Sequence, residues 1–406
     1  MTAEDLSVRA ADYLRRLTQY PDRHVGGPGN RAATEMFAET VGGLGFDVTR
    51  TSFDCLEWEH GDARIEVGDE RFDAHVGPYS PAFDGAAPLI AVSSGDELEH
   101  ADIAGRILLL HGGIAAGQLM PKNFTFYNPE GHKRIIAAIE AGRPAAVVAA
   151  TGRDPQLVGS QYPFPLFEDG DFDIPNAYMK DVDGERLRRR AGSDARLSIE
   201  SRRVPATAEH VVATLPGSMR GRIVVTAHID SRKGSPGALD NASGVATVLL
   251  LAELVGSLGS ERPSVELVPF NGEDNYANPG EMMWVRENEG RFDDIILGIN
   301  IDDSGQRDTI DHVSFYGCPQ HIEVAVRNAM AGYDRVDEGP QWFQSDHAIF
   351  GIYGRPAIAV ASSDMHGFMA AYAHTDGDTI DLADPTLVAE AAMFLSEVVR
   401  DVAEPV

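Results

Sequence analysis

Cysteine is nearly missing from this chain: two in 406 residues, Cys55 and Cys318, far apart. That excludes a disulfide framework and a cysteine-ligated zinc cluster, and leaves two free thiols of the kind a reducing compartment keeps. Lysine is almost as scarce, at Lys122, Lys133, Lys180 and Lys233 only. Positive charge as a whole is short. The 34 Lys and Arg stand against 63 Asp and Glu, a net charge of −29. Phosphates would be repelled, so nucleic acid and anionic membrane surfaces are not expected as partners. There is also no unbroken apolar run of the roughly 18 residues that a membrane helix needs. The opening stretch MTAEDLSVRAADYLRRL has acids and no apolar core, unlike a signal peptide, and the expected location is the cytoplasm. No G-x-S-x-G elbow occurs. The adjacent Ser345-Asp346-His347 cannot form a serine-hydrolase triad, whose members must converge from separate positions. The glycines of HVGGPGN follow no strand and lead to no GK[ST], which argues against a phosphate cradle.

What is present is an ordinary globular composition, 43% apolar and 24% charged, at a length that suggests two domains. Residues 3–20 and 31–44 read as helices, the second stopped by Gly45, and 46–53 as a strand. From 55 to 205 the texture changes. The short strand candidates ARIEV, RFDAHV, PLIAV, GRILLLHGG and AAVVAA surround one helix, 132–141. Asn123-Phe-Thr matches a glycosylation acceptor but has no secretion signal to go with it. From 206 onward strands alternate with helices. The expected fold is therefore α/β, with a mixed, mostly parallel central sheet flanked by helices. The expected domains are a catalytic part at 1–54, an inserted unit at 55–205, and the catalytic core at 206–406.

The chain is organised around RIVVTAHIDSRKGSPGALDNASG, residues 222–244. An apolar, β-branched strand ends in His228 and Asp230, and Asp240 sits in the turn before a helix. Other predicted strands also end in acids or imidazole: Glu273 and Asp274, Asp302 and Asp303, and His374 with Asp376 and Asp378 close by. In open α/β sheets ligands gather beyond the carboxyl ends of strands. Two imidazoles and several carboxylates without a thiolate suit zinc or another divalent first-row ion. One carboxylate more than a single tetrahedral ion requires suggests two ions about 3.5–4 Å apart, bridged by an Asp.

The ordered series AHIDS, GALDNASGVA, FNGED, INIDDSG, SDHAIF and AHTDGDT resembles the co-catalytic di-zinc peptidases of family M28, which include aminopeptidases and glutamate carboxypeptidase-like members. The resemblance covers about 1–54 and 206–406. The insertion, with DIAGRILLLHGG and DIPNAYM, resembles a protease-associated (PA) domain. The family resemblance implies two Zn2+ held by His228, Asp240, Asp274, Asp302 and His374, with Asp240 as the bridge. It implies Glu273 as the general base that takes a proton from the attacking water, and Asp230 as a carboxylate behind the metal site. Tyr372, Gln344 and Asp346 are candidate substrate contacts, and His347 and His366 candidate pocket residues. The series departs from the family pattern in GED, in NYANPGEMMW and in Gln344. An aminopeptidase acting on a peptide or amino-acyl substrate is the first expectation. A carboxypeptidase or N-acyl-amino-acid amidohydrolase is the alternative on the same fold, and a non-catalytic binding protein a remote one. A homodimer is the base-rate expectation for assembly.

Overall fold

The computed structural model describes residues 2–122, 128–153, 162–274 and 279–402. Asn123 of the glycosylation triplet, and residues 275–278 of the departing stretch, lie outside them. The chain divides into two compact units. One holds Met1–Asp54, Thr207–Phe368 and Tyr372–Val406; the other holds Cys55–Ala206 and Met369–Ala371. Two long strands, Asp47–Val67 and Asp194–Leu215, carry the chain from one unit into the other. The expected short strands 46–53 and 63–67 are thus parts of one continuous strand.

In the first unit four parallel strands lie side by side, in the order Ser264–Phe270, Arg222–His228, Ile295–Ile301, Ala357–Ser362. Asp311–Tyr316 runs antiparallel on the outer side of Ala357–Ser362, and Val336–Glu338 completes that edge. Nearly every residue of the four parallel strands is buried, as a sheet covered on both faces requires. Helix Ser243–Val255 is apolar all round and lies inside the unit, so its composition follows from burial on every side. The stretch Ala238–Leu258 is apolar enough to cross a membrane by length and composition. Here it is a core helix, with 72% of its most apolar window buried. Helix Ala3–Leu17 buries Leu6, Ala10, Tyr13, Leu14 and Leu17 along one face. The second helix runs Pro28–Gly43, three residues earlier than its pattern suggested. Gly27 caps it and Pro28 fills the first turn, where a missing N–H costs nothing.

The second unit has its own parallel strands, Phe83–Val92, Ile107–Leu110, Ala146–Thr151 and Asn176–Lys180. Glu70–Val76 pairs antiparallel with the last of them. Ile65, Leu109, Val148 and Met179 fill one face of this sheet. Leu110, Ile139, Val147 and the stacked pair Phe167–Phe172 fill the other.

Candidate metal centre

All four parallel strands of the first unit point their carboxyl ends at one place. His228 is the last residue of Arg222–His228, and Asp302 directly follows Ile295–Ile301. Glu273 and Asp274 come three and four residues after Phe270. Asp240 lies in the turn Ala238–Ala242 that opens the buried helix, with backbone angles that are not helical. His374 arrives after the short helix Met365–Ala371 that follows the fourth strand, in the left-handed region with φ 60°. A non-glycine residue held there is costly to place.

The side chains converge as two clusters that share one member, His228–Asp240–Asp302 and Asp240–Asp274–His374. His228 Nε2 lies 3.1 Å from Asp240 Oδ1 and 3.3 Å from Asp302 Oδ1. His374 Nε2 lies 3.2 Å from Asp240 Oδ2 and 2.9 Å from Asp274 Oδ1. Asp240 therefore turns one oxygen to each cluster. Each imidazole nitrogen faces two carboxylate oxygens at once, although one N–H can serve only one of them well. That is the arrangement of ligands around a cation. Asp274 Oδ2 and Asp302 Oδ1 are buried and accept no hydrogen bond among the described residues. The field of the site also calls for positive charge. Burial acts to lower both imidazoles, but the carboxylates outweigh it: His374 is raised to about 10, chiefly by Asp274, and His228 well above its usual value by Asp302. Burial alone would raise Asp240; its hydrogen bonds to the two imidazoles hold it low instead.

Behind the clusters, carboxylates outside both of them fix the backbone. Asp230, fully buried, accepts the N–H groups of Gly272, Glu273 and Asp274 at 2.8, 3.2 and 3.1 Å. It thereby sets the turn that carries both the candidate base and a candidate ligand. It stands 3.8 Å from His228 Nδ1. Asp378 accepts the N–H groups of Leu239 and Asp240 at 2.9 and 3.1 Å, and burial pushes its carboxyl up to about 7. Ser345 Oγ donates to Asp302 Oδ2 at 2.6 Å, which leaves Oδ1 directed at His228. Asn300 Nδ2 donates to Ser345, and Thr226 Oγ1 to Asn300, both at 2.8 Å.

Glu273 is half-buried, within the field of His228, Asp346, Asp302 and Asp274. Burial pushes its carboxyl well above the ordinary range; His228 opposes the shift, while Asp346, Asp302 and Asp274 add to it. Asp346 is buried, within the field of the buried Glu281 and, more weakly, of His228 and Asp302. Tyr372 is 41% exposed, two residues before His374, and Gln344 is exposed. His366 is exposed. His347 is buried with Nε2 on Trp342 O, and Ser345 is engaged with Asp302, so the Ser-Asp-His letters form no triad. The sequence pattern did not reveal the parts played by Ser345, Asp378, Glu281 and Arg23. Of these, only Asp378 carried a signal, as the second acid of HTDGD.

Residues 210–399 match the model for Peptidase family M28. The probable lipoprotein aminopeptidase LpqL of Mycobacterium tuberculosis is 26% identical over 246 residues, 58% of this chain. The match spans 45% of that relative, less than half its length. Among solved structures, the aminopeptidase from Aneurinibacillus sp. strain AM-1 superposes with a TM-score of 0.76 at 20% identity, covering 98% of this chain and 96% of that one. BSAP, a zinc aminopeptidase from Bacillus subtilis, gives 0.71 at 20% identity over 97% and 94%. At such identities these likenesses establish the fold.

Proposed function

We propose that this chain, which carries a peptidase family M28 domain over residues 210–399, is a metal-dependent exopeptidase with an aminopeptidase's specificity. The observation that carries the reading is Asp240, whose two oxygens serve two imidazole–carboxylate clusters 3.1–3.2 Å away. Two imidazoles and three carboxylates fit a pair of zinc ions, with His228, Asp240 and Asp302 holding one and Asp240, Asp274 and His374 the other. Zinc supplies Lewis acidity there, which makes water nucleophilic near neutral pH and polarises an amide carbonyl.

The chain's own residues do the rest. Glu273 is no member of either cluster, so its carboxylate is available to take a proton from the attacking water and release it to the departing amine. Asp230 fixes the Glu273 main chain for both transfers. The acids whose charge reaches Glu273, namely Asp346, Asp302 and Asp274, favour a substrate that brings an ammonium group. One observation favours the alternative, a carboxypeptidase or N-acyl-amino-acid amidohydrolase. Arg232 Nε stands 4.0 Å from Asp274, a cation near enough to attract a substrate carboxylate.

Zinc-loaded protein offered dipeptides with free or acetylated amino ends, and free or amidated carboxyl ends, separates these. Chelator-sensitive cleavage that requires the free amine is the expected result. Cleavage that tolerates acetylation but requires the free carboxylate would establish the alternative. Metal uptake without cleavage of any peptide would overturn both.

A further inference from the structure

Arg23 is a cation with no part in the chemistry above. It lies between the two N-terminal helices and is completely buried. Among the described residues its guanidinium is hydrogen-bonded only to backbone carbonyls. Nε donates to Ile229 O at 3.0 Å, Nη1 to Pro236 O at 2.5 Å and, more distantly, to Leu17 O at 3.5 Å, and Nη2 to Gly237 O at 2.9 Å. The Arg23 N–H donates to Ser231 Oγ at 2.8 Å, and that hydroxyl donates on to Ser235 O at 3.0 Å. All of these partners except Leu17 belong to one loop, 229–237. The loop leaves the sheet at His228 and delivers Asp240, so candidate ligands stand at both of its ends.

Gly237 shows independently how tightly this loop closes on Arg23. It has φ 60°, and a Cβ there would stand 2.4 Å from Asp240 O, 2.6 Å from Ser231 Cβ and 2.9 Å from Arg23 Nη2. Only a glycine allows the guanidinium and the Asp240 carbonyl to approach from two sides. The Asp378 carboxyl accepts the N–H groups of Leu239 and Asp240. Asp240 is thus fixed between two buried side chains, the Arg23 guanidinium and the Asp378 carboxyl, neither of them in either cluster. Burying a full cation on carbonyls alone is costly. Burial does weaken this guanidinium's hold on its proton, and Asp378, Asp230, Asp240 and Asp274 oppose that shift with their charges. A planar fork can reach three diverging carbonyls together, whereas an ammonium cannot reproduce that geometry.

We propose that Arg23 is a positioning residue of the metal centre, which sets the 229–237 loop so that His228 and the shared Asp240 meet both cations. The inference rests on the proposed metal site and adds a consequence to it. Because Asp240 belongs to both clusters, loosening its loop weakens both equivalents together, whereas a disturbance confined to Asp302 weakens one.

The test is titration of the metal-stripped full chain with Zn2+ by calorimetry, and with Co2+ by its visible absorption, for wild type, Arg23→Lys, Ser231→Ala and Ser345→Ala. Wild type is expected to bind two equivalents. Arg23→Lys should bind both about 10- to 100-fold more weakly, with an altered cobalt spectrum, while its circular dichroism stays that of the wild type. Ser231→Ala should weaken both to a smaller extent, and Ser345→Ala only one. A folded Arg23→Lys protein with wild-type affinities and cobalt spectrum, or with a loss confined to one equivalent, would overturn the inference. If Arg23→Lys does not fold, Ser231→Ala and Gly237→Ala decide the matter, and wild-type binding by both would overturn it as well. A wild-type chain that takes up neither ion would overturn the metal reading itself, and this inference with it.

Discussion

His210 sits on the strand Asp194–Leu215, 1% exposed, its ring stacked on Phe270 with centroids 6.3 Å apart. Among the described residues neither ring nitrogen has a hydrogen-bond partner. Burial depresses its pKa from 6.5 to about 4. The folded protein therefore keeps His210 neutral across a range in which the unfolded chain binds a proton. Since the unfolded state binds more protons there, stability is full above 6.5 and is lost as pH falls from 6.5 toward 4. With those two values the loss between pH 7 and pH 5 comes to about 2 kcal/mol from this one residue. His210→Phe removes the titration while keeping a flat ring against Phe270. Urea unfolding of the unit that holds the residue, at pH 7 and pH 5, is the assay. With a slope of about 3 kcal/mol per molar urea, the fall in midpoint between the two pH values should shrink by about 0.7 M in the variant. The variant should also be the more stable protein at pH 7, since two buried nitrogens without partners disappear. Wild type and variant losing equal stability between pH 7 and pH 5 would refute the reasoning.

Other outcomes follow from the site. Glu273→Gln should retain both metal equivalents by elemental analysis while turnover falls about 10²- to 10⁴-fold; unchanged turnover would remove Glu273 as the proton carrier. Ser345→Ala frees Asp302 Oδ2, so metal titration should show one equivalent weakened about 10-fold and the other untouched. Asp230→Asn leaves one acceptor oxygen for three converging N–H groups and should cost about 3 kcal/mol in urea unfolding. Its turnover should fall even in excess metal, because the Glu273 turn loosens; full turnover in excess zinc would count against a role for that turn.

The parallel core was legible because its physics is local. The run RIVVTAH announces a strand buried on both faces, SGVATVLLLAELV can only be an interior helix, and acids left at strand ends have no place in a core. Candidate ligands were legible as residue types at those ends, and the resemblance put them in order. Contacts set by long-range closure were not legible. Arg23 reaches the 229–237 loop across 206 to 214 positions, and Ser345 reaches Asp302 across 43. Nothing near either residue in sequence marks its target, because the sheet order that brings them together is a property of the whole unit. The same holds for His374, whose left-handed backbone follows a short helix that the apolar pattern did not predict. By itself, then, the sequence determined which chemistry the chain can carry: imidazole and carboxylate at strand ends, with no thiol to compete. The resemblance already pointed to Asp240 as the shared carboxylate; tertiary structure alone decided how its two oxygens divide between the clusters, which oxygen of Asp302 is left facing His228, and which buried side chains hold the Asp240 loop in place. Those depend on distances of a few ångströms between segments that share no local signal.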